Sequence, residues 1–213
     1  MKDPISPDWP NYLPGPKDDI YALGVISLLY GQLESMFQLV FSAATRMDID
    51  HTFAIFHRIP NNVRQDVLSN LMASGPLPDV LKDLVRHFAS AFKICAENRH
   101  ALMHSQSGGT HHNYEEERSG ILLRRFTRSG KTEVSKATLK ELRKVADDIE
   151  AYVLFGAAIA SEIAIHFRLI ELGKPTHKKP PPLCDKPPLP TAMNWQSHES
   201  FQDELRQRKS SLP

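Results

Sequence analysis

The chain of 213 residues is long enough for one domain with a substantial core plus an appendage. Its 41% hydrophobic and 24% charged residues are those of an ordinary globular protein, and a net charge of +1 excludes a whole-surface electrostatic footprint for nucleic acid. The charge is uneven: residues 173–213 carry seven Lys/Arg against four Asp/Glu and leave the rest slightly acidic, so any nucleic-acid contact by the main body must be local.

Residues 1–17 hold five prolines and read as an irregular arm. The opening "MKDPISPDWPNYLPGP" has no apolar core, so no signal peptide is expected and the expected compartment is the cytoplasm, with no membrane partner. From a cap at Asp18 or Asp19, Ile20, Leu23, Ile26, Tyr30, Leu33, Phe37, Val40 and Phe41 recur at three and four, which predicts one long helix to about Arg46. Shorter helices are predicted from Asp50 to Arg58, ending before Pro60, and from Asn61 or Asn62 to Ser74, ending at "GPLP".

A second long helix starts near Pro78 or Asp79 and runs to about Ser105 on Val80, Leu81, Leu84, Val85, Phe88, Phe92, Cys95, Leu102 and Met103. "SQSGGTHHNYEEE" reads as loop, with Glu115–Glu117 a solvated run. "GILLRRFTRSGKTEVS" changes period and reads as a hairpin over about 120–135, strands Ile121–Thr127 and Lys131–Val134 joined at "RSGK". Ser135 or Thr138 then caps a last long helix, Glu141 completing a capping box with Thr138; Gly173 and Pro175 end it near Leu172. Its apolar run is broken by Glu162 and His166, a local pair, so it reads as buried rather than membrane-spanning.

The remainder, 173–213, is a basic tail with seven prolines between Pro175 and Pro190, extended or partly disordered, with a short polar helix over 196–209. Two cysteines, Cys95 and Cys184, make no disulfide scaffold. The expected fold is therefore all-α: an up-and-down bundle of four or five helices over 18–172, with an inserted β-hairpin and a Pro-rich C-terminal tail.

The segment "CAENRHALMHSQ" crowds Glu97, Asn98, Arg99, His100 and His104 into the end of the second long helix. The plain reading is a solvated helix end, where Arg and His suit the macrodipole. A metal reading would join His100 and His104, four apart on one face, with Glu97 and with His111 or His112 from the loop; yet the pattern is not HExxH, and no metal or other cofactor is assigned.

The third reading rests on "RHALMH", an arginine, a polar residue, three further residues and a histidine. This resembles the R-x4-6-H signature of HEPN domains, small all-helical proteins in which the motif lies at the end of a late helix. The resemblance covers 18–172 in helix order and six residues in motif; the hairpin has no counterpart in the family's minimal bundle. It implies a metal-independent ribonuclease of toxin or defence type, homodimeric, with RNA as substrate and a protein partner or antitoxin. Arg99 and His104 would be catalytic, the histidine moving a proton and the arginine holding the scissile phosphate. Asn98 and His100 would orient phosphate or histidine. Five residues separate Arg99 from His104, about 140° on an ideal helix, so a second copy is expected to complete one cleft.

Glu34 falls in the first helix's apolar stripe and needs a partner or an edge position; Arg99 is one such partner. Arg124, Arg125, Arg128 and Lys131 put positive charge on the hairpin, either to grip an RNA backbone or to protect a strand edge. The competing function is a non-catalytic dimeric module whose Pro-rich tail recruits partners through extended-peptide recognition.

Overall fold

The computed structural model describes residues 16–56, 58–111, 120–127, 129–174 and 185–210. In chain order these form α1 (Lys17–Thr45), α2 (Ile49–Phe56), α3 (Asn61–Ser74), α4 (Asp79–His104), β1 (Gln106–His111), β2 (Gly120–Phe126), β3 (Thr132–Thr138), α5 (Leu139–Glu171), β4 (Gln196–Ser197) and α6 (His198–Ser210). The fold is mostly helical, with a small antiparallel sheet inserted between two long helices. The described residues divide into two compact units. A helical unit holds Ile26–His100 and Lys144–Ala192; a sheet unit holds 16–25, 101–143 and 193–210.

The helical unit is built on aromatic side chains spaced at three and four. On α1, Ile26, Tyr30, Leu33, Phe37, Val40 and Phe41 are all buried. The Phe37 ring lies 4.4 Å from Phe92 and 6.1 Å from Phe88 on α4, and 5.8 Å from Phe56 on α2. Tyr30 meets Phe92 while Phe37 meets Phe88, so α1 and α4 run antiparallel. Phe88 meets Phe155 and Cys95 stands near Asp148, so α4 and α5 are antiparallel too. α1 and α5 run parallel: Met36 lies against Gly156, and Arg46 bonds Glu171 at 2.8 Å. A Cβ on Gly156 would stand 2.7 and 2.9 Å from Phe88 ring atoms, so glycine is what lets α5 approach at this level.

α1 and α5 are long and apolar enough to cross a membrane by length and composition alone. Here they contribute Phe37 and Phe155 to one aromatic core, and α5 carries the buried polar residues Glu162 and His166. The ends of α5 follow local chemistry. Thr138 Oγ1 accepts from the Glu141 N–H at 3.3 Å, and Glu141 Oε2 accepts from the Thr138 N–H at 2.7 Å, a reciprocal capping box. Gly173 takes φ +63°, and the Lys174 N–H returns to the Leu169 carbonyl at 2.9 Å.

The sheet unit carries four strands in the order β1-β2-β3-β4, all antiparallel. β2 and β3 pair from Gly120↔Thr138 to Phe126↔Thr132, with Gly130 in the turn at φ +76°. Leu122, Val134 and Phe201 of α6 form its small apolar cluster. Two sequence expectations are corrected here. Gln106–His111, read as loop, is a strand, because its backbone groups find the free edge of β2, with an irregularity between Ser107 and Thr110. Ser135 is no helix cap, since β3 continues to Thr138. The 1–15 arm, the Glu115–Glu117 run, His112 and tail residues 175–184 with Cys184 lie outside the described residues.

Candidate functional site

Residues 98–104 form the final turns of α4, and the candidate side chains there differ in burial. Asn98 is 2% exposed, Arg99 is half-buried, and His100 and His104 are exposed. His100 and His104 are four apart and share a face, about 40° apart on an ideal helix. Arg99 and His104 remain about 140° apart by the same geometry.

Arg99 turns toward α1. Its guanidinium carbon lies 5.6 Å from the centroid of the Tyr30 ring, and that ring stacks on Phe92 at 6.0 Å. Such stacking holds the planar cation while leaving its edge donors to other partners. Burial, then the nearby Glu34 carboxylate, pushes the Tyr30 hydroxyl well above its usual range, although Arg99 and Arg64 pull the other way. Tyr30 therefore stays a neutral donor at any ordinary pH.

Glu34 sits one helical turn after Tyr30, its side chain 35% exposed, and its Oε1 is 3.9 Å from Arg64 of α3. Arg64 escaped the sequence reading. It donates from Nε to the Ile59 carbonyl at 2.7 Å and from Nη2 to the Phe56 carbonyl, with its guanidinium 4.9 Å from the Phe56 centroid. The Phe56 carbonyl ends α2 and Ile59 follows three residues on, so Arg64 caps the C-terminal end of α2 as well as neighbouring Glu34. Its only sequence signal was a position shortly after Pro60. Arg99, Arg64, Glu34 and Tyr30 thus bring two cations, one carboxylate and one phenol close together.

Asn98 takes a partner that no local spacing points to. Its amide donates to the Thr191 carbonyl at 2.9 Å, 93 positions along the chain. The buried amide thus binds the tail backbone, because a buried NH2 group needs an acceptor and the passing carbonyl supplies one.

Among the described residues, the hairpin cations Arg124 and Arg125 do not share one face. Arg124 and Arg125 are neighbours on β2 and so face opposite sides of the sheet. Arg125 donates from Nε to Glu133 Oε2 at 2.7 Å, and its guanidinium lies 4.1 Å from the Trp195 ring centroid. Lys131 is exposed beside the turn, and Arg128 lies outside the described residues. Among the described residues, no three His, Cys, Asp or Glu side chains gather as a metal site. No protein-family model, curated protein or solved structure matches the chain.

Proposed function

We propose that the chain is a HEPN-like RNA-acting protein, a metal-independent endoribonuclease of the cytoplasm that works as a homodimer. One observation carries this reading. The Arg99–His104 pattern occupies the last turns of a 26-residue late helix, with the histidine exposed and the arginine half-buried against Tyr30. An exposed imidazole can take the ribose 2′-hydroxyl proton. The 2′-oxygen then attacks phosphorus, the bond to the 5′-oxygen breaks, and the leaving oxygen takes a proton. The products are a 2′,3′-cyclic phosphate and a 5′-hydroxyl. Arg99, fixed by its stacking, meets the charge that builds on the phosphate. Pairing of two copies brings one helix end's arginine to the other's histidine, and a protein antitoxin is the partner that fits such an enzyme.

The test uses mixed RNA in chelator, comparing wild type with Arg99→Ala and His104→Ala. Wild type should leave 2′,3′-cyclic ends, and each variant should lose about 10²–10⁴-fold in rate. Equal cleavage by all three removes the assignment. The engagement of Asn98 with Thr191 and of Arg99 with Tyr30 favours a second reading, a non-catalytic dimeric interaction module. That reading predicts no cyclic ends from any of the three proteins.

A further inference from the structure

The helical unit holds a second assembled feature, remote in kind from the Arg99–His104 pattern. Residues 185–192, "DKPPLPTA", take no helix or strand, yet they are fixed to α4 and α5 by side chains from both helices. His87 Nε2 lies 2.8 Å from the Pro187 carbonyl. A carbonyl only accepts, so Nε2 carries the proton and donates. The Tyr152 hydroxyl donates to the same carbonyl at 3.0 Å and lies 3.3 Å from that of Pro188. Asn98 donates to Thr191, and Lys186 pairs with Asp83.

The chemistry of the two sides is complementary. Proline has no N–H, so a Pro-Pro-x-Pro backbone presents mainly acceptors. The helices answer the carbonyls with donors, an imidazole N–H, a phenol O–H and a carboxamide N–H, and meet the Lys186 ammonium with the Asp83 carboxylate. Pro187 and Pro190 turn inward, half-buried and buried, while Pro188 and Leu189 are exposed. A period of three is that of a polyproline II helix, and each residue before a proline is already biased to that backbone. The floor is aromatic: the His87, Tyr152 and Phe155 rings have centroids 5.8–5.9 Å apart. Burial, then nearby Cys95 and Asp148, pushes the Tyr152 hydroxyl up to about 12, so it remains a donor.

We propose that Asp83, His87, Asn98 and Tyr152 form a recognition groove for a proline-rich, lysine-bearing extended peptide, filled in cis by residues 186–191. The contacts are to main-chain carbonyls and to the spacing Lys-Pro-x-x-Pro. A peptide of the same chemistry from another protein therefore competes with the chain's own segment. Because the cis segment is tethered, its effective concentration is of order millimolar, and the groove is masked until that segment is released.

The experiment uses the full chain and a fluorescein-labelled DKPPLPTA peptide. The variant Pro187→Ser/Pro188→Ser/Pro190→Ser should bind the peptide saturably and at least tenfold tighter than wild type. Adding Tyr152→Phe or His87→Ala should weaken that binding at least fivefold. A peptide with alanine at the three prolines should not compete. If the triple variant keeps the wild-type circular dichroism and melting profile yet binds DKPPLPTA no better than the alanine peptide, the groove assignment is wrong. Should the triple variant fail to fold, Lys186→Glu, which alters one exposed ion pair, replaces it. That chain should take up the peptide more tightly than wild type, and equal uptake by both overturns the proposal.

Discussion

The helical unit and the sheet unit are held by different means. The first interlocks Phe37, Phe56, Phe88, Phe92 and Phe155, which α1, α2, α4 and α5 deliver to one core. The second has the three-residue cluster Leu122, Val134 and Phe201 and relies on specific polar links around it, Arg125 to Glu133 and Trp195 among them. A dense apolar core tolerates few changes of volume, because each methylene has many partners. A thin one depends on a few contacts that are individually weak. The same contrast governs what each unit can present. The helical unit positions Arg99 and the groove, whereas the sheet unit engages Arg125 with its own Glu133 and Trp195.

The largest effect expected from this contrast is in the core of the helical unit. Phe37→Ala removes a ring 1% exposed and in contact with three others, and should cost about 3–5 kcal/mol. Leu122→Ala in the sheet cluster should cost about 2 kcal/mol, the low end for such a deletion, because a three-residue cluster can collapse around the gap. Urea titrations of both variants check the order, and equal losses would break the comparison. Next comes alkali. Burial, with Asp148 nearby, pushes the Cys95 thiol from 9.0 to about 12, and burial raises Tyr152 from 10.0 to about 12. The native state thus keeps protons that the unfolded chain releases. Stability is intact below pH 9.0 and falls as the pH climbs toward about 12. The urea midpoint should drop between about pH 8.5 and about pH 10.5, and Cys95→Val should delay the onset. A flat profile would contradict the burial of both groups.

What was legible follows the same division. The periodic placement of Ile26, Leu33, Phe37 and Phe41, the Thr138–Glu141 box and the Gly173 stop are local signals, and the helices follow them closely. β1 was not legible, since "QSGGTH" has no apolar alternation and becomes a strand only by pairing with β2. The partners of Asn98 and Tyr152 were hidden for a related reason: no local spacing ties them to Thr191 or Pro187, which lie 93 and 35 positions away. The R-x4-H pattern was legible as residues, and its surroundings were not. Tyr30 read as a core position, although its ring is what carries Arg99.

The smallest expected effect bears on the hairpin cations, where sequence left two readings open. Arg125 bonds Glu133 with its guanidinium 46% exposed at the side chain, and stacks on Trp195. An exposed ion pair contributes about 0.2–1 kcal/mol and an exposed cation–π contact about 0.5–1. Arg125→Ala should therefore cost about 1 kcal/mol, at most half that of Leu122→Ala, and should shift the emission of Trp195. Arg125→Lys keeps the charge but not the planar fork, and should recover less than half of the loss. If Arg125 instead gripped an RNA backbone, Arg125→Ala would lower the salt slope of RNA binding by about one. An unchanged slope with a shifted Trp195 emission identifies the residue as a staple joining β2, β3 and the Trp195 segment.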